Sequence, residues 1–85
     1  MKKYHIMTIL VSNRRAKAHE VQDVLTKNGC IIQMRLGLHE ITSQCAEDGL
    51  IILQVGGTEE EIQKLETELN ALVGVKSKLV SLESE

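Results

Sequence analysis

Eighty-five residues make one small domain, in which folding hides only about 60% of the surface that the unfolded chain exposes, so each aliphatic side chain matters for stability. With no Phe, no Trp, no Pro and a single Tyr, the core has to be assembled from Ile, Leu, Val and Met, each contributing roughly 1.5–3 kcal/mol when fully buried. A hydrophobic content of 42% with 26% charged residues excludes disorder, and a formal charge of −2 leaves no basic excess for direct binding to a nucleic-acid backbone.

The N-terminus faintly imitates a secretory leader, with Lys2 and Lys3 ahead of an apolar stretch. That stretch carries His5 and runs into Ser12-Asn13-Arg14-Arg15 without a small-residue cleavage site, which reads as a first strand. No apolar run approaches the roughly 18 residues a membrane helix needs, so no membrane span is expected. Cys30 and Cys45 are too few for a disulfide framework and are not in CxxC spacing, which places the chain in a reducing cytoplasm. Cys30, between Gly29 and Ile31, reads as a small buried hydrophobe.

Residues 4–11 are rich in Ile, Thr, Val and Leu, with apolar residues on both alternating sets. They predict a strand, β1, covered on both faces. Ser12 or Asn13 is suited to cap the helix that follows, α1, because either side-chain oxygen can accept from an amide of the first turn. Ala18, Val21 and Leu25 form one apolar stripe of α1, and Gly29 stands where a left-handed C-terminal cap is wanted. Residues 31–38 return to strand propensity as β2, with Gln33 and Arg35 on one face and Ile32, Met34, Leu36 and Leu38 on the other.

Residues 39–48 are polar and end in the turn signal Asp48-Gly49, after which residues 50–55 resume as β3, apolar on both faces. Gly56-Gly57 breaks that strand. Thr58-Glu59-Glu60-Glu61 then reads as a capping box for α2, whose buried stripe is Ile62, Leu65, Leu69 and Leu72 and which Gly74 ends. Residues 75–82 form the last strand, β4, with Lys76 and Lys78 on one face.

The order βαββαβ, with doubly apolar β1 and β3 and charged β2 and β4, places the first pair inside the sheet and the second at its edges. Right-handed crossovers then give an α+β, ferredoxin-like fold over residues 1–85 as a single domain, a four-stranded antiparallel sheet with both helices on one face. The other face still holds large aliphatic residues. It is expected to be covered by another copy of the chain, in a dimer or tetramer.

The fold hosts several chemistries, so function rests on sites. RNA-recognition sheets stack bases on aromatics, and Tyr4 alone is available here. Metal-trafficking domains place CxxC at the β1–α1 turn, which this chain fills with Ser12-Asn13-Arg14-Arg15. The carboxylates gather on α2 as ordinary helix surface, without a nucleophile and base, so no enzyme and no cofactor is expected. The ligand-binding candidates are Asn13 and Arg14 beside the α1 N-terminus, which suit an anionic ligand where they are not simply helix-start residues. Arg35 is placed on the open sheet face, either in an interface salt bridge or on a ligand. His39 and Cys45 are a competent metal pair short of a full ligand set, which His5 or His19 of a partner chain would have to complete.

These residues resemble a known family, the small stand-alone ACT-like regulators of the iron-only hydrogenase system. The likeness is carried by Asn13-Arg14, Ala18, Val21, Leu25 and Gly29, by Arg35-Leu36-Gly37 in β2, and by Gly57, Leu65, Leu69 and Gly74-Val75-Lys76. It implies a fold close to ACT domains and to the ligand-binding half of nickel-responsive repressors, a homo-oligomer, and a regulatory role with Gly37 beside Arg35 in the binding element. The chain departs from the family in the hairpin, where His39 stands in place of a usual Pro. Gly37 also occupies the position where nickel repressors would offer another histidine. Without a ribbon-helix-helix segment, any effect on transcription runs through a partner protein.

Overall fold

Alternating aliphatic residues and two glycine-bounded helical stripes resolve into the six predicted elements. The computed structural model describes residues 2–38 and 48–85, the side chains of Arg14, Arg15 and Leu38 excepted. The elements are β1 (Lys3–Val11), α1 (Arg14–Lys27), β2 (Ile32–Leu38), β3 (Gly49–Val55), α2 (Glu59–Asn70) and β4 (Val75–Glu83), with a 3-10 turn, Gly29–Ile31, between α1 and β2. The sheet order is β2-β3-β1-β4 with every neighbour antiparallel, so the doubly apolar strands are central and the charged ones lie at the edges.

The helix-covered face holds the core. Met7, Ile9 and Val11 of β1, Leu53 and Val55 of β3 and Val75 of β4 pack with Val21 and Leu25 of α1 and Ile62, Leu65 and Leu69 of α2. Strand period two and helix period 3.6 thus converge on one apolar layer, as the sequence predicts. Ala18 departs from its stripe: it is exposed and lines an open space beside α1 rather than the core.

Helix ends follow local chemistry. At α2, Thr58 Oγ1 accepts from the Glu61 amide at 3.1 Å, and the Thr58 amide donates to Glu61 Oε1 at 2.9 Å, which completes the capping box. Gly74, at φ 81°, makes the left-handed turn into β4, and its carbonyl accepts from the Ser12 amide at 2.8 Å. Gly29 does not play the matching part. Asn28 caps α1 at φ −106°, and its buried side-chain amide donates to Val24 O and to Glu68 Oε1, both at 2.8 Å, tying α1 to α2. The 3-10 turn that follows sends Ile31 inward and Cys30 outward, so Cys30 is exposed rather than buried.

The β2 alternation needs a second correction. The register shifts between Ile32 and Met34, so that Ile32 pairs with Val55 on the core side while Met34 pairs with Gln54 on the opposite side. A bulge that places an extra residue, Gln33, in the strand is what separates two residues of like parity. Beyond it Arg35 lies across from Leu53, on the helix side, and Leu36 across from Ile52, on the open side. The apolar row of β2 therefore extends the uncovered face, and Arg35 points away from that face.

The uncovered face is strongly apolar. It collects Tyr4, Ile6 and Leu10 of β1, Met34 and Leu36 of β2, Leu50 and Ile52 of β3, and Val80 and Leu82 of β4, with Lys76 and Lys78 along one margin. Leu36, Val80 and Leu82 are 48%, 49% and 64% exposed. The outer edge of β4 is occupied by Asn70, whose side chain accepts from the Ser77 amide at 2.7 Å and thereby satisfies an edge donor.

Candidate functional site

Where α1 overhangs the hairpin strands, a groove of about 500 Å3 opens between the helix and the sheet. Its lining residues are Val11 at the end of β1, Ala18, His19, Val21 and Gln22 on α1, Arg35 and Gly37 on β2, and Gly49, Leu50 and Ile51 on β3. The size falls within the range of small-molecule sites, and the wall is mainly aliphatic, with His19, Gln22 and Arg35 as its polar side chains.

Two glycines and one alanine make the space. Gly37 and Ile51 are cross-strand partners, as are Val11 and Gly49, so each pairing has one side without a side chain. A Cβ at Gly37 would meet nothing within 4 Å. Ala18, one turn before Gln22 on the same flank of α1, leaves the helix wall low at that point.

Arg35 supplies the permanent charge. Its Nη1 donates to Gln22 Oε1 at 2.6 Å, and Gln22 Nε2 donates in turn to Thr26 Oγ1 at 3.1 Å. The Thr26 hydroxyl thus fixes which way the Gln22 amide points, and the amide oxygen orients the guanidinium. Among the described residues the ion pairs are Lys3–Glu59 and Lys17–Glu20, neither of which engages Arg35. An oriented, exposed guanidinium lining an apolar groove is equipped to hold a carboxylate through paired N–H donors.

The sequence-derived candidates separate here. Arg35 and Gly37 meet in the groove. Asn13 does not line it: it is the N-cap of α1 at φ 54°, ψ 58°, a left-handed conformation uncommon outside glycine, and its side chain makes no capping hydrogen bond. The cap is backbone alone, since Asn13 O accepts from the Ala16 and Lys17 amides at 3.1 and 3.3 Å. The Arg14 side chain, His39 and Cys45 lie outside the described residues. No group of three or more His, Cys, Asp or Glu side chains able to hold a metal ion occurs among the described residues. His5 faces α2, where its Nδ1 meets Ser81 Oγ at 2.6 Å, and His19 is on the groove.

Sequence reasoning offered His19 only as a partner-chain metal ligand and missed Gln22, Gly49 and Ile51. The signal for His19 and Gln22 was present, because positions 19 and 22 flank the Ala18–Val21–Leu25 stripe at i, i+3 spacing. Locating them on the groove required knowing that Arg35 comes up beneath α1. No helix among the described residues is long and apolar enough to cross a membrane.

No family model matches the chain, and no curated protein does. Solved structures do. An uncharacterised protein of Thermotoga maritima superposes with a TM-score of 0.82 at 25% identity, covering 96% of this chain and 100% of its own. CPII, a nitrogen regulatory PII-like protein of Thiomonas intermedia, gives 0.62 at 13% identity over 99% of this chain and 97% of its own. Prephenate dehydratase of Streptococcus mutans gives 0.62 at 17% identity over 93% of this chain and 43% of its own. The fold, a ferredoxin-like βαββαβ sheet with its helices on one side, is therefore shared with a PII-like protein and with part of a prephenate dehydratase.

Proposed function

We propose that this chain is a regulatory domain that senses a small anionic ligand in the α1–β2–β3 groove and acts as a homo-oligomer through its open sheet face. One observation carries the reading: β2 presents Arg35 and Gly37 to the groove on one side and Met34 and Leu36 to the apolar face on the other. A ligand and a partner copy would thus address the same short strand. CPII, of the same fold, is a nitrogen regulatory protein bound to ADP, AMP and bicarbonate, which accords with small-anion sensing on this scaffold.

The regulated target is a finer matter. The likeness of Asn13-Arg14, Arg35-Leu36-Gly37 and Gly74-Val75-Lys76 to regulators of the iron-only hydrogenase system favours a target in that system or in transcription, reached through a partner protein. Neither catalysis nor a bound cofactor enters this reading.

Thermal-shift screening against carboxylates, phosphates, nucleotides and divalent metals tests it. A ligand at about 100 times its dissociation constant adds about 2.7 kcal/mol, enough to raise the melting temperature of a chain this small by several degrees. The expected result is an anion that shifts wild type and leaves Arg35→Ala unmoved. A response to metals alone, or an anion response retained in Arg35→Ala, contradicts the reading.

A further inference from the structure

We infer that the outer edge of β4 over residues 79–83 docks an extended segment of a partner protein, one that alternates aliphatic and basic residues and joins the sheet as a fifth strand. The inference is independent of the groove beneath α1.

The edge is closed along half its length and open along the other half. In a strand the N–H and C=O of one residue point to the same side, and successive residues alternate. The Val75 amide donates to Leu72 O at 3.2 Å, the Ser77 amide donates to Asn70 Oδ1 at 2.7 Å, and Ser77 O accepts from Asn70 Nδ2 at 3.5 Å. These groups point away from β1, and by the same alternation so do the N–H and C=O groups of Leu79, Ser81 and Glu83. Among the described residues nothing bonds to them. The pairing of β4 with β1 runs through this stretch without a bulge, and no Pro or Lys blunts it, whereas the opposite edge, β2, carries the irregularity at Gln33.

The surroundings set the partner's chemistry. On the open side Val80 and Leu82, 49% and 64% exposed, would lie beside the added strand and favour aliphatic residues there. On the helix side α2 presents Glu59, Gln63 and Glu66 at i, i+4, i+7 spacing, and these line a hollow of about 220 Å3 with His5, Leu79 and Ser81. Glu83 shares that side of the strand with Leu79 and Ser81. Lys3 stands across from Glu83 and pairs with Glu59 at 3.9 Å, and His5 is engaged by Ser81 Oγ. Glu66 has no ion pair among the described residues, so this side of the edge carries an excess of carboxylate that suits Lys or Arg on alternate positions of an incoming strand. The carboxylates stay in contact with water, which makes the preference modest and sensitive to salt.

Residues 79–83 pair with residues 3–7, at the far end of β1 from the Val11 and Gly49 partners, so the start of α1 and the chain between β2 and β3 both attach away from this edge. A second copy is the poorer occupant, because two β4 edges brought together would set one acidic α2 flank beside the other.

The test is a two-dimensional amide NMR titration of the whole chain with two seven-residue peptides, one alternating valine and lysine, the other valine and glutamate. The lysine peptide should move the amides of Leu79, Ser81 and Glu83, slow their exchange with solvent and leave those of Leu36 and Ile52 in place. The glutamate peptide should bind about tenfold more weakly at low salt, and the difference should shrink as ionic strength rises. Ser81→Pro removes the central outward donor at an edge position that accepts proline, and should lose at least about tenfold in affinity with its far-ultraviolet circular dichroism retained. Glu66→Lys, which leaves the edge backbone intact, should narrow the gap between the peptides. Equal binding of both peptides by wild type would overturn the stated partner chemistry. Shifts centred on Leu36 and Ile52, or no response to either peptide at about 1 mM, would overturn the docking site. Shifts of the three edge amides on raising the chain concentration alone would assign the edge to a second copy and overturn the proposed occupant.

Discussion

Arg35 and Leu36 are consecutive residues of β2 that face opposite sides of the sheet: the Arg35 guanidinium donates to Gln22 on α1, while Leu36 stands across from Ile52 on the face no described helix covers. Strand geometry alone enforces this division, since successive side chains alternate. It gives one seven-residue strand two surfaces with different chemistry.

Gly37→Val separates the groove from the fold. The added side chain enters open space, and a β-branched residue suits a strand, so stability measured by urea unfolding should stay within about 0.5 kcal/mol of wild type. Ligand affinity should drop at least about tenfold, because the apolar volume is filled. Unchanged binding in this variant would move the ligand elsewhere.

The capping box predicts an acid-dependent term. Hydrogen bonds from the Thr58 amide and hydroxyl hold the Glu61 carboxylate below its ordinary pKa of 4.5. A depressed folded pKa means the contribution is full above that value and is lost as pH falls through the folded one. The stability gap between wild type and Glu61→Gln should therefore be full above pH 4.5 and shrink as the pH falls below it. Thr58→Ala should cost about 1 kcal/mol at neutral pH. Chemical denaturation across pH reads both.

Two glycines that look alike in sequence should behave differently. Gly74→Ala forces a side chain into φ 81° and should destabilise by about 1 kcal/mol or more. At Gly29 the backbone is not left-handed and an added Cβ meets nothing within 4 Å, so Gly29→Ala should be neutral or slightly stabilising. Melting temperatures of the two variants decide it.

Asn28 is the buried polar residue joining the helices. Asn28→Leu removes donors to Val24 O and Glu68 Oε1 and should cost roughly 1–3 kcal/mol, whereas Glu68→Ala should cost less, since Val24 O still accepts from Asn28. Equal costs would mean the link to α2 dominates.

Most of the fold was legible because it depends on pairwise periodicity. The Val21–Leu25 stripe of α1, the Ile62–Leu65–Leu69 stripe of α2, the capping box at Thr58 and the doubly apolar β1 and β3 are local signals that the sheet merely assembles, whereas Ala18 is exposed and Leu72 lies beyond the end of α2 at Asn70. The site was less legible. Arg35 was expected on the open face because the apolar row Met34, Leu36, Leu38 was assigned to the core, and in an edge strand flanked by an overhanging helix that inference inverts. The bulge at Gln33 leaves no mark in composition, and it places Ile32 and Met34 on opposite sides. Gly29 resembles a helix cap in sequence, yet Asn28 takes the role by reaching across to Glu68, a tertiary contact 40 positions away. Asn13 was rightly placed at the start of α1, but its capping is by backbone.

Sedimentation velocity at about 20 μM, where an association of micromolar strength is well populated, tests the central claim that the apolar sheet face is an interface between copies. Wild type should sediment as two or more chains, and Leu36→Glu with Ile52→Glu as one chain with an unchanged far-ultraviolet circular dichroism spectrum. A wild type that sediments as a single chain, or a double variant that stays associated, would contradict it.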